Sequence, residues 1–297
     1  MLFLALASTD ELDILGVTAV AGNVPLELTE RNARLMCELA GRDDVPVYAG
    51  CEQPMRGELV TAEHVHGQSG IDGADIHKPT VPLQKQHAVD FIIDTLLGAD
   101  ENSITLVPTG PLTNIATALQ KRPEITSRIR DIVLMGGARC EGGNVTPCAE
   151  FNIYVDPLAA DIVLHCGRPL TIAGLDVTHQ VLVTHAFLDR LREMRSRVVK
   201  NTLGMLEYFN RFDREKYGSE GAPLHDPCTI AYLLSPVLFK GKLCNIEVET
   251  ISPLTMGHTV VDFWQTSGRP ENANWLYEVD SEGFFALLEE RLSRFGN

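Results

Sequence analysis

Short apolar runs alternate with stretches of helical period along most of the chain. Residues 14–20, 45–48, 104–110, 132–135 and 170–175 are apolar runs flanked by Gly, Pro or polar residues, the pattern of strands buried on both faces. Between them lie helical patterns at 26–39, closed by Gly41, and at 88–97. Pro111 sits where a third helix begins, and Asp156-Pro157 opens a fourth as cap and first residue. Beyond residue 185 the pattern is helical to about Tyr217, and Asp226-Pro227 starts a further helix. Residues 246–251 and 259–263 read as two strands, and 281–295 as a closing helix. Repeated strand–helix units predict an α/β fold, a mostly parallel sheet with helices on both faces. With no linker, repeat or low-complexity tract, residues 1–297 read as a single domain. Residues 56–84 are polar and read as a long functional loop.

The start of the chain breaks this pattern. Met1-Leu2-Phe3-Leu4-Ala5-Leu6-Ala7-Ser8 looks like the middle of a buried helix, with no cap and no preceding strand. It is too short and too uncharged for a signal peptide. No run is long enough to span a membrane.

Composition narrows the partners. Asp plus Glu is 40 against 25 Lys plus Arg, a net charge of −15. Such a surface repels phosphate backbones and argues against nucleic acid. The seven cysteines are scattered, odd in number and without a C-x-x-C pair, which predicts a reduced, cytoplasmic protein. A Cys140–Cys148 disulfide is conceivable but not favoured.

The candidate chemistry concentrates after the strand at 132–135. The Gly-rich loop from Gly136 to Asn152 leaves that strand, where α/β proteins place ligands. It carries Asn144, Glu150 and Asn152, side chains suited to gripping hydroxyl groups, and a single basic residue, Arg139. A neutral polyhydroxylated ligand such as a sugar fits better than a phosphate. The competing reading is that these residues cap and satisfy a loop. Asp226 is either a helix N-cap or a hard-metal ligand, with His225 beside it as a proton donor. Thr109, at a strand end, is a turn residue or offers its carbonyl to a hard cation. His64 and His66 lack further metal ligands, and His66 could instead line a pocket. Gly67-Gln68-Ser69-Gly70-Ile71 misses the nucleophile-elbow pattern at its last position, and neither dinucleotide nor P-loop signatures occur.

Several strings together resemble the inosine–uridine-preferring nucleoside N-ribohydrolases, in the right order over essentially the whole chain. They are Val20-Ala21-Gly22-Asn23-Val24, His64-Val65-His66-Gly67, Val107-Pro108-Thr109-Gly110-Pro111-Leu112-Thr113-Asn114, Val133-Leu134-Met135-Gly136-Gly137, Ala149-Glu150-Phe151-Asn152 and His225-Asp226-Pro227. The resemblance implies Ca²⁺-dependent cleavage of the N-glycosidic bond of a nucleoside, giving ribose and free base. It implies Asp226 and the Thr109 carbonyl as Ca²⁺ ligands, and Asn23, Asn144, Glu150 and Asn152 around the ribose. His225 would assist the departing base, while His66, Phe151 and Tyr217 would line the substrate pocket. It further implies a homodimer or homotetramer. Such chemistry is coherent, because an oxocarbenium-like sugar needs nearby negative charge and fixed hydroxyl contacts.

One departure stands out. The family opens with a strand carrying D-x-D-x-x-x-D-D, which supplies the general base and most Ca²⁺ carboxylates, and this chain has no such motif. Met1 to Ser8 matches the helix that follows it, so the first strand is expected to be missing. Asp10, Asp43 and Asp44 lie too late to substitute. The expectation is a hydrolase by lineage whose written chain is inactive and poorly stable. The alternative is a non-catalytic nucleoside- or ribose-binding protein.

Overall fold

The computed structural model describes residues 1–217 and 221–296, with side chains described except at 212–217. The first half runs α1 (Leu2–Leu6), β1 (Val17–Ala19), α2 (Leu26–Leu39), β2 (Val47–Ala49), α3 (Glu63–His66), α4 (Ala88–Gly98), β3 (Ile104–Leu106), α5 (Thr113–Lys121) and β4 (Ile129–Met135). The second half runs α6 (Phe151–Val155), α7 (Pro157–Leu164), β5 (Leu170–Ala173), α8 (Leu175–Thr178), α9 (His185–Glu193), α10 (Arg197–Tyr217), α11 (Pro227–Leu234), β6 (Phe239–Val248), β7 (Thr259–Asp262), β8 (Ala273–Val279) and α12 (Ser281–Ser293).

Six strands form one sheet in the order β3-β4-β5-β8-β6-β7. β3, β4, β5 and β8 pair in parallel, and β6 runs antiparallel to both β8 and β7. Helices cover both faces. On one side Leu35, Val177, Phe187, Leu224 and Phe284 pack in a cluster drawn from α2, α8, α9, α12 and the chain before α11. On the other, Ile93, Leu119 and Val163 from α4, α5 and α7 pack on Ile132, Ile172 and Trp275 of the sheet. The mostly parallel α/β architecture is therefore as expected.

The sheet is interrupted, however. β1 and β2 pair only with each other, in parallel, as a separate two-stranded sheet. Between β1 and β3 lies a cavity of about 920 Å³, lined by Val17 and Thr18 on one edge and Thr105 and Leu106 on the other. Phe91 and Leu96 of α4 wall one face, and Ala5, Ile230 and Leu233 of α1 and α11 wall the opposite face. A sealed, dry void of that size would cost roughly 20 kcal/mol, more than the whole stability of an ordinary domain. The cavity is instead open and partly polar, which makes it a place for solvent or ligand.

Three local expectations change. Residues 56–84 contain the one-turn helix α3. The strand expected at 246 begins at Phe239: residues 240–243 are exposed or half-buried, so no apolar run marks the first half of the strand. β8 was not expected at all, although it sits between β5 and β6 with Trp275 and Leu276 fully buried. All seven cysteines are free, Cys140 and Cys148 included.

Candidate functional site

Parallel strands carry their C-terminal ends to a common side, and the loops leaving them build the site. Asn23 follows β1, Thr109 follows β3, Asn152 ends the loop after β4, and Asp226 precedes α11. All four line the same cavity between the two sheets. Asn152 is held from behind, its amide donating to the Met135 carbonyl at 3.1 Å and to the Thr109 carbonyl at 3.4 Å. That contact fixes Thr109 relative to the end of β4.

The Gly-rich loop is anchored at both ends. Glu150 is buried and N-caps α6, accepting from the amides of Asn152 (3.0 Å) and Ile153 (3.3 Å) and reaching across to Gly137 (3.0 Å). Burial outweighs these amide contacts and pushes its carboxyl up to about 7, helped by the nearby Asp226. Gly137 adopts φ +82°, a left-handed conformation glycine takes without penalty. The next residue, Ala138, exchanges two hydrogen bonds with the Thr259 hydroxyl of β7 (2.9 and 2.7 Å). Asp176 of α8 takes the amides of Arg139 and Cys140, both at 2.8 Å. Asn144 is exposed and caps the loop's exit, accepting from the Phe151 amide at 2.9 Å. Phe151 itself is buried with Ala62 and Val155. For Asn144 and Glu150, then, the loop-satisfying role is real.

The two Asp-Pro pairs separate cleanly. Asp156 is fully buried and structurally committed, accepting from the Ala159 amide (3.1 Å), the Met55 amide (2.8 Å) and the Thr113 hydroxyl (2.7 Å). Asp226 makes no side-chain cap bond to its helix. The N-cap reading of Asp226 is thereby corrected: its own backbone is helical, with φ −57° and ψ −39°, whereas a capping side chain needs an extended residue. Its carboxyl faces the cavity, and burial raises its pKa to about 6 against the opposing pull of the Met1 ammonium.

His225 bonds the Thr178 hydroxyl through Nδ1 at 2.8 Å, and its ring centroid lies 5.7 Å from that of His179. His179 in turn contacts Glu141 through Nδ1 at 3.0 Å. Burial, with His179 and then His66 nearby, pulls the His225 pKa down to about 3. His225 is thus a neutral imidazole at pH 7, so as the expected proton donor it would act through a ring N–H rather than as an imidazolium. His66 stacks on Phe209 of α10, centroids 5.5 Å apart, and burial lowers its pKa to about 4. The Tyr217 side chain lies outside the described residues. Sequence reasoning missed Thr178, His179 and Phe209. The cluster Asp176-Val177-Thr178-His179, directly after a strand end, was the available signal for the first two.

A strand-end cavity lined by the Asn23 and Asn152 amides, the Thr109 carbonyl and Asp226 suits a polar, uncharged small molecule; His66, His225, Asn144, Glu150 and Phe151 are not among its lining residues. The sequence profile of the inosine–uridine preferring nucleoside hydrolases matches residues 1–286, and the chain belongs to that family. Its class is nucleoside N-ribohydrolase, the metal-dependent cleavage of the N-glycosidic bond of ribonucleosides. A pyrimidine-specific ribonucleoside hydrolase RihA of Photobacterium profundum is 48% identical over 295 residues, 99% of this chain and 94% of that one. A purine-preferring ribonucleoside hydrolase from Gardnerella vaginalis superposes with TM-score 0.90 at 34% identity, over 98% of this chain and 93% of the other. A plant nucleoside hydrolase superposes with TM-score 0.91 at 32% identity, covering 98% and 94%.

Proposed function

We propose that the cavity end bounded by Asn23, Thr109, Asn152 and Asp226 receives the ribose of a ribonucleoside, with the base toward His66 and His225. The observation that carries this reading is Asp226: a half-buried carboxyl with no cap bond, lining a strand-end cavity beside the Met1 ammonium. Asn23 and Asn152 offer the donors and acceptors that a vicinal diol needs. Buried Glu150, behind Asp226, adds negative potential where an oxocarbenium-like sugar would develop charge. Where the Thr178 hydroxyl donates to Nδ1 of His225, Nε2 carries the hydrogen, a donor suited to a ring nitrogen or carbonyl of the leaving base. Asn144, engaged with Phe151, reaches the ribose only if that cap opens.

The family's metal was tested against these donors. Ca²⁺ takes six to eight oxygens, usually with several carboxylates. At this end of the cavity the described residues supply Asp226 and the Thr109 carbonyl, and both Glu150 oxygens are occupied by amides. This set does not fit a tight Ca²⁺ site, and no catalytic step is derived through one. The described residues at this end of the cavity are thus suited to holding the nucleoside, while hydrolysis, the reaction of the class, needs further carboxylate ligands for its metal. The test is release of free base from inosine, uridine and cytidine with and without Ca²⁺, beside calorimetric nucleoside binding. Binding without base release is expected. Full turnover would refute the metal argument, and absence of binding in both wild type and Asp226→Asn would refute the site.

A further inference from the structure

Away from the cavity, Asp161 and His165 on the last turn of α7 meet Glu247 of β6. One ligand atom from each lies within 4.8 Å of the others. None of the three lines the nucleoside cavity. The tautomer of His165 can be worked out. Its Nδ1 is 2.9 Å from the Asp161 backbone carbonyl, which can only accept, so Nδ1 carries the hydrogen. Nε2 then presents its lone pair to Glu247 Oε2 at 3.3 Å. Two lone-pair donors face one another, and something positive belongs between them.

A second proton on Nε2 would make this an ordinary exposed ion pair; an ion held by both atoms is the alternative that would also draw on Asp161. Charge-assisted N–H···O contacts close to about 2.7–2.9 Å. Two donors bound to one tetrahedral ion at about 2.0–2.1 Å stand roughly 3.3–3.4 Å apart, which matches the separation observed. The Nδ1–H···O=C contact is also the outer contact that orients metal-binding histidines. Asp161, whose Oδ1 lies 3.2 Å from Nδ1, is the third member of the cluster. Arg269 lies 3.5 Å from the other Glu247 oxygen and holds that carboxylate in place. All three side chains are partly exposed, so an ion has a way in.

We propose that Asp161, His165 and Glu247 form a binding site for a divalent transition-metal ion of the zinc class, clipping α7 to β6. One imidazole with two carboxylates suits zinc or cobalt, where an all-oxygen set would suit calcium. The clip is independent of the nucleoside reading.

The test uses the full chain, stripped with chelator and titrated with Co²⁺ followed by optical absorption, then with Zn²⁺ in competition. Saturable visible d–d absorption without a near-ultraviolet thiolate band is expected, which excludes Cys166 and the other cysteines as ligands. His165→Ala and Glu247→Gln should each weaken binding at least tenfold, while Asp226→Asn leaves it unchanged. Absorption unaltered in both His165→Ala and Glu247→Gln, a thiolate-type spectrum, or no saturable binding would each overturn the proposal.

Discussion

The same dipeptide, Asp-Pro, does two different jobs in this chain, and one pair of isosteric substitutions separates them. Asp156→Asn replaces the Oδ2 that accepts from Met55 N and Thr113 Oγ1, or the Oδ1 that caps Ala159. Either orientation of the new amide leaves a backbone N–H facing an NH₂ group. Thr113 can rotate its hydroxyl to recover one contact. The net loss is about one charge-assisted hydrogen bond plus one stranded buried donor, or roughly 2–4 kcal/mol. At about 2–4 °C per kcal/mol for a chain of this general size, Tm should fall by roughly 4–16 °C. Asp226→Asn removes a carboxyl with no cap bond and a pKa raised to about 6. The folded state binds a proton at Asp226 more readily than the unfolded chain does. Its charged form therefore costs stability as pH rises from about 4 to about 6. Its removal should leave Tm unchanged or higher at pH 7 while abolishing nucleoside binding. Differential scanning calorimetry of both variants, with nucleoside titration of each folded protein, is the assay. An Asp226→Asn variant that melts as early as Asp156→Asn would refute the assignment, since Asp226 would then be holding the fold.

Glu150 gives a pH prediction: with its folded pKa raised from 4.5 to about 7, stability should decline between those pH values, and Glu150→Gln should flatten that part of the Tm–pH curve. Thr259→Val breaks both bonds to Ala138 and should cost about 2–4 kcal/mol in denaturant melts. Gly137→Ala, at φ +82° with its new methyl 3.0 Å from Thr259, should destabilise by at least about 1 kcal/mol and weaken nucleoside binding in the same preparation. His66→Ala removes a ring stacked on Phe209 and should weaken binding of nucleosides more than of free ribose, as calorimetry with both ligands would show.

The parts of the fold legible in the sequence are those fixed by local pattern. Residues 132–135 and 170–173 are apolar because both faces of a central strand are covered, and the pattern says so directly. β8 escaped because Asn274, Tyr277 and Glu278 interrupt its apolar run, although Trp275 and Leu276 are buried. For the candidate site residues, the sequence offers two roles each, and the local partners that bear on them come only from the fold. Asp156 and Asp226 look alike in sequence, and only the backbone angles at Asp226 show that it cannot cap. Asn144 and Glu150 carry hydroxyl-binding groups, yet their nearest partners are loop amides. The depressed pKa of His225 comes first from its burial and then from His179, just past α8, and His66 of α3. Neither proximity has a signature along the chain.

The placement of β8 between β5 and β6 has a consequence for biosynthesis. β5 ends at Ala173, but the strand that covers its far edge is not complete until Val279. At ribosomal speeds of about 5–20 residues per second, that edge stays bare for roughly 5–20 s. The loop base at Ala138 waits slightly longer for Thr259. The emerging chain therefore carries an unpaired apolar strand edge through much of its synthesis, and the pocket assembles only at the end. Its folding yield in a cell should depend on what shields β5 during that interval more than on any contact in the finished protein.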